Sequence, residues 1–143
     1  MHQIRTQTFI AAPPLAVWEV LADFDRYAEW NPLNIRASGT AVPGAKIPMV
    51  FQNLASPGKT ISQTVTLVAC EQSKALAWAG SVPLLFKGRH SFSLNPEGEG
   101  TRVHHHEDLG GLITLAISRD QILRDFLPAY EAVNHALAER LAA

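Results

Sequence analysis

Cysteine is almost missing from this chain: Cys70 is the single one among 143 residues. An intrachain disulfide is therefore excluded, and a reducing compartment is the expected setting. Cys70 lies in an apolar run with no nucleophile signature around it, and reads as a small hydrophobe at a strand end. An excess of one charge is missing too. Lys plus Arg number 12 against 13 Asp plus Glu, with no basic run, so a nucleic-acid footprint and a polybasic membrane patch are both absent. Long apolar runs are lacking: Leu112–Ile117, interrupted by Thr114, falls far short of a bilayer span. Only Arg5 precedes Phe9–Ala12, and Pro13–Pro14 interrupts the apolar stretch beyond it, which does not make a signal peptide. No phosphate loop, Gly-x-Ser-x-Gly elbow or dinucleotide fingerprint occurs. These absences predict a soluble, cytoplasmic protein with no nucleic-acid partner, no stable membrane insertion and no cofactor.

What is present is apolar and patterned. Apolar residues make up 47% and charged residues 17%, too apolar a balance for a disordered chain. The length fits one domain, which would bury about 68–70% of its unfolded surface. Residues Gln3–Ile10 alternate, with Ile4, Thr6, Thr8 and Ile10 on one parity, and predict a first strand. Pro13–Pro14 suits a first helical turn. Val17, Trp18, Leu21 and Phe24 then recur at helical spacing from Leu15 to Asp23. A second short helix should stop near Trp30, because Pro32 biases Asn31 away from helix.

From Leu33 to Gly111, turn residues recur every ten to fifteen positions, with β-rich segments between them. The segments are Leu33–Gly39, Ala45–Asn53, Thr60–Cys70, Ala75–Gly80, Leu84–Asn95 and Gly100–Gly110. Pro48 cannot donate to a ladder, so the second should be an edge strand or carry a bulge. Leu112–Ser118 is ambiguous between helix and strand. At the end, Leu123, Phe126, Leu127, Tyr130, Val133, Leu137 and Leu141 form a helical stripe. Pro128 inside it should kink or break the helix near Arg124–Pro128. The order predicts an α+β fold in which an antiparallel sheet packs its apolar face on a C-terminal helix.

Strand parity then asks which polar residues face inward. In Phe86–Asn95 the parity of Phe86, Phe92 and Leu94 includes His90; in Thr101–Leu109 that of Val103 and Leu109 includes His105 and Glu107. A hairpin across Pro96–Gly100 makes His90, His105 and Glu107 neighbours on the inner face. A carboxylate and two imidazoles on an apolar face must be paired, wet or functional. Three readings stay open: a self-satisfied structural network, a polar patch orienting a bound molecule, or a proton-transfer site. His104-His105-His106 does not converge on a metal, because its outer members face away from the middle one. No recognised ligand spacing supports a metal elsewhere, and none is expected. Trp78 faces inward with Leu76 and is a candidate cavity wall, whereas Trp18 belongs to the first helix's buried face. Asn134 and Tyr130 on the helix stripe are either tethers or ligand contacts.

These residues carry a resemblance. Ala12-Pro13-Pro14, Val17–Phe24, Tyr27, Trp30-Asn31-Pro32, Trp78 and Gly80 contribute to it, as do Leu85–Phe92, Gly100–Val103, His105–Gly111 and Asn134–Leu137. Together they resemble the START-like superfamily known as SRPBCC, and within it the polyketide cyclase/dehydrase and lipid-transport group. The resemblance spans essentially the whole chain. It implies a helix-grip fold: a seven-stranded curved antiparallel sheet wrapped around a long C-terminal helix, two short helices between strands 1 and 2, and a cavity between sheet and helix. Members bind lipids, sterols, polyketides or plant hormones, and some catalyse cyclisation or dehydration. His90, His105 and Glu107 match recurring family positions. Pro128 departs from the family's uninterrupted terminal helix.

The expected function is to bind a small hydrophobic or amphipathic molecule. Walls would come from Phe51, Val65, Leu67, Trp78, Phe86, Phe92, Leu123, Phe126 and Tyr130, with His90, His105 and Glu107 orienting a hydroxyl or carbonyl. The alternative is a cyclase or dehydratase in which Glu107 or His105 abstracts a proton and His90 stabilises an oxyanion. A protein-interaction module is a third reading, favoured by an exposed apolar patch outside the cavity.

Overall fold

The computed structural model describes residues 1–143. The elements are β1 (His2–Ile10), α1 (Pro14–Ala22), a 3₁₀ segment (Phe24–Glu29), β2 (Arg36–Ala37), β3 (Lys46–Gln52), β4 (Thr60–Glu71), β5 (Ala75–Val82), β6 (Phe86–Glu97) and β7 (Gly100–Gly110). Then come α2 (Ile113–Ala116), α3 (Arg119–Gln121), a π-helical segment (Ile122–Phe126) and α4 (Leu127–Ala142). All seven strands form one antiparallel sheet in the order β1-β7-β6-β5-β4-β3-β2. The first strand thus pairs with the last, and the helices lie on the concave side.

Alternation sets the faces. In β7, Val103, His105, Glu107 and Leu109 are buried, while His104, His106 and Asp108 are only half-buried on the other face. The inner face meets Val17 and Leu21 of α1, Phe24 and Tyr27 of the 3₁₀ segment, and Tyr130, Val133 and Leu137 of α4. Trp18, half-buried, donates its indole N–H to the Ala75 carbonyl at 3.3 Å and ties α1 to the start of β5. Between Leu67 and Ala69 the β4–β5 register shifts. Such a bulge adds bend and twist, which helps the sheet curl.

Several expectations need adjusting or completing. The segment Leu33–Gly39 keeps only Arg36–Ala37 as strand. The Asn31 side-chain carbonyl captures the backbone N–H groups of Leu33 and Asn34, both at 2.9 Å, and holds them in an Asx turn instead of a ladder. Strand β3 is neither the edge strand nor bulged, contrary to expectation, and the Pro48 carbonyl accepts from Ser38 N–H at 3.2 Å. Its ring nitrogen therefore faces the same way, past the end of the two-residue β2, and no bond to β4 is lost. Strand β6 begins at Phe86, not Leu84, because Pro83–Leu85 form the β5–β6 turn, with Leu84 at φ 65°. Leu112–Ser118 contains a single helical turn, Ile113–Ala116.

The terminal helix is not interrupted at Pro128: it winds as a π segment over Ile122–Phe126 and passes directly into α4. Pro128 sits in the first turn of α4, where a missing N–H is tolerated. Immediately before it, Leu127 N–H bonds the Ile122 carbonyl five residues back, closing the π turn.

Candidate functional site

A cavity of about 280 Å³ lies between the concave face and the terminal helix. Phe51 comes from β3, Val65 from β4, Trp78 from β5, Phe86 and His90 from β6, and Glu107 from β7; Phe126 and Tyr130 close it from the π segment and α4. Two glycines keep the wall thin. Gly80 and Gly88 face each other across β5 and β6, and both line the cavity. A Cβ on Gly80 would sit 2.7 Å from the Gln63 amide oxygen. One on Gly88 would sit 2.7 Å from the Phe86 ring and 3.5 Å from Glu107 Oε2.

Register places His90 opposite Glu107 and Phe92 opposite His105. The side chains then join in one chain of contacts. Tyr130 O–H donates to Glu107 Oε1 at 2.9 Å. His90 Nδ1 lies 3.4 Å from that same oxygen, and His90 Nε2 lies 2.6 Å from His105 Nε2. His105 Nδ1 meets Asn134 Oδ1 at 2.8 Å, and Asn134 Nδ2 donates to Thr6 Oγ1 at 2.8 Å. Thr6 O–H ends the chain on the His105 carbonyl, at 2.8 Å. Aromatic faces clamp both imidazoles: Trp78 stacks on His90 at 4.7 Å and Phe92 on His105 at 4.2 Å.

This order assigns the protons. Asn134 uses its amide N–H on Thr6, so its oxygen must accept, and His105 carries its proton on Nδ1. His105 Nε2 is then an acceptor and His90 donates to it from Nε2. His90 Nδ1 faces Glu107 Oε1 at 3.4 Å. Glu107 Oε2 is buried and has no hydrogen-bond partner. Burial, followed by the nearby His90, holds the His105 pKa well below its ordinary value and keeps the ring neutral. Burial, followed by the Glu107 charge, pushes the Tyr130 phenol well above its ordinary range, so it stays a donor.

The structure thus joins the three inner-face residues but separates their roles. His90 and Glu107 line the cavity; His105 is fully buried behind them, with both ring nitrogens engaged. Leu67 and Phe92 are likewise buried in the core and do not reach the cavity surface. Leu123 is corrected outright. It is 61% exposed and lies in an outer groove with Met1 and Arg5, whereas Ile122, at the floor of the same groove, is 3% exposed and packs in the core. A wide π turn adds about one residue of phase, which turns the 3.6-residue stripe by one position upstream of Phe126. Asn134 is a tether, to side chains and not to a backbone carbonyl. Sequence reasoning missed the Gly80–Gly88 pair, although glycine inside a strand is a signal of close approach. It also missed Thr6, which shares the inward parity of β1, and Asn34, which carried no signal.

Leu84, Leu112 and Leu115 are exposed outside the cavity lining, and Leu85, also exposed, belongs to it. The β5–β6 turn and the start of α2 that carry them are joined by Leu112 N–H to the Leu84 carbonyl, at 3.1 Å. Cys70 is half-buried against the core, and burial raises its thiol pKa.

A curved antiparallel sheet gripping a C-terminal helix over an apolar hollow is the START-like, or SRPBCC, architecture. Residues 1–142 match the sequence profile of the polyketide cyclase / dehydrase and lipid transport family, and the chain belongs to that family. A solved protein from Thermus thermophilus is 18% identical with a TM-score of 0.78, over 99% of this chain and 97% of that one. A START superfamily protein from Mycobacterium smegmatis is 15% identical with a TM-score of 0.77, over 99% and 98%. The Zhui aromatase/cyclase from Streptomyces sp. R1128 is 16% identical with a TM-score of 0.77, over 99% and 93%. At such identities the likeness shows the fold. No curated protein sequence matches the chain. No helix is long and apolar enough to cross a membrane.

Proposed function

We propose that this protein binds a small apolar or amphipathic molecule in the cavity between sheet and helix. One observation carries the reading: among apolar walls, the buried carboxylate oxygen Glu107 Oε2 has no partner in the protein. A buried acceptor without a donor is costly, and a ligand that supplies the donor removes that cost. Membership of a family named for polyketide and lipid handling supports the same reading. Native mass spectrometry of the purified protein, with displacement of bound N-phenylnaphthylamine, tests it. Uptake of one apolar molecule per chain is expected, and failure to take up any apolar probe overturns it.

A second reading, acid–base catalysis, is favoured by the relay itself. Glu107 and His90 lie 3.4 Å apart at the cavity wall, a pairing that suits taking a proton from a bound substrate and returning it. His105, sealed behind them, acts only by holding His90 in place. Unchanged turnover of an identified substrate by Glu107→Gln would rule this reading out.

A further inference from the structure

The cavity's unmatched polar atoms are of one kind. Two buried side-chain atoms lack a hydrogen-bond partner, Glu107 Oε2 and Asn34 Oδ1, and both are acceptors. Both residues line the same cavity, and they are 8% and 4% exposed. The Asn34 amide is oriented by its Nδ2, which contacts Met49 Sδ at 3.6 Å. Reversing it would set its oxygen against that sulfur. Tyr130 adds a third lone pair, since its proton is committed to Glu107. No Lys or Arg lines the cavity, and the His90 nitrogens are both occupied by His105 and Glu107. The wall therefore offers unmatched acceptors and no Lys or Arg. The other polar linings, such as Ser62 and Gln63, can both donate and accept, so they do not discriminate.

We infer that the ligand is an uncharged apolar molecule bearing two hydroxyl-type donors, a phenolic or alicyclic diol, and that the cavity rejects carboxylates. The two orphan acceptors lining one cavity motivate this. It deepens the ligand-binding reading and rests on it. A diol would satisfy Glu107 Oε2 and Asn34 Oδ1 together. A fatty-acid head would bring a second carboxylate against Glu107 with no Lys or Arg in the lining to balance it.

The test needs no variant at first. Isothermal titration compares the isomeric naphthalenediols with their dimethyl ethers and with naphthoate, which share one ring system. The best diol should bind at least about tenfold more tightly than its ether, given hydrogen bonds to a charged acceptor, and naphthoate should bind more weakly than that diol. In Asn34→Leu, checked for folding by its melting curve, the diol-to-ether ratio should fall by about tenfold while the ether is little changed. Ethers binding as well as diols, or naphthoate binding tightest, overturns the inference while leaving the cavity reading intact. If no naphthalenediol binds while another apolar probe does, the inference falls alone; if no apolar probe binds at all, both fall.

Discussion

Asn134 is the residue on which the buried relay hangs, and replacing it by alanine has a calculable effect. The change removes the acceptor of His105 Nδ1–H and the donor to Thr6 Oγ1, both at 2.8 Å. His105 is fully buried and cannot turn to solvent. A buried donor left unpaired costs about 1–3 kcal/mol, and the second lost bond adds about 1 kcal/mol. Asn134→Ala should therefore lose about 2–4 kcal/mol. For a chain of this size, about 3–4 °C per kcal/mol gives a fall in Tm of about 6–16 °C. Urea melts followed by far-UV circular dichroism measure it. The neighbouring His135→Ala is the control: its contact is an exposed pair with Glu139 at 3.0 Å, so it should move stability by less than about 0.5 kcal/mol. Because Thr6 and Asn134 share one bond, Thr6→Val should couple to Asn134→Ala by about 0.5–3 kcal/mol. A loss below about 0.5 kcal/mol for Asn134→Ala would refute the assigned proton order.

Three further outcomes rest on the same geometry. His105 is neutral in the folded protein, while the unfolded chain takes its proton near the ordinary value of 6.5. Below that pH the unfolded state binds more protons, so stability falls by up to about 1.4 kcal/mol per pH unit, continuing down toward the depressed folded pKa. The outward His106, also lowered by burial and by Arg5, adds a smaller contribution of the same sign. A urea midpoint that stays flat on acidification through that range would contradict it. Gly88→Ala should force the Phe86 ring aside and weaken N-phenylnaphthylamine uptake by about tenfold, with a Tm change of only a few degrees; unchanged uptake would show that the wall there is not part of the site. Gly111→Ala meets φ +91° and the Leu85 carbonyl oxygen at 2.7 Å, and should lose about 1–3 kcal/mol in denaturant melts.

Much of the site could be read before any coordinates. The pleat repeats every two residues, so apolar parity alone put His90, His105 and Glu107 on the inner face, and the Pro96–Gly100 turn made them neighbours. Pro128 likewise announced an irregularity in the terminal helix, seen as the π winding just before it, because a missing N–H is a local covalent property. The β2 segment was over-read, since β-rich composition does not reveal that Asn31 will seize the N–H groups of Leu33 and Asn34. Leu123 was misplaced because a π turn keeps helical composition while shifting its phase.

Residue order alone thus settled which side chains share a face and where turns fall, from periods of two and 3.6 residues and from the special chemistry of Pro and Gly. The fold family was legible only through the resemblance its motifs carry. Whether sheet and helix leave a hollow, and which atoms in it lack partners, came only from packing. The Thr6–Asn134–His105 bonds join residues up to 128 positions apart, and the bare oxygens of Glu107 and Asn34 are what remains once those neighbours have taken their hydrogen bonds. Such leftovers depend on three-dimensional donor–acceptor matching, which no local periodicity encodes.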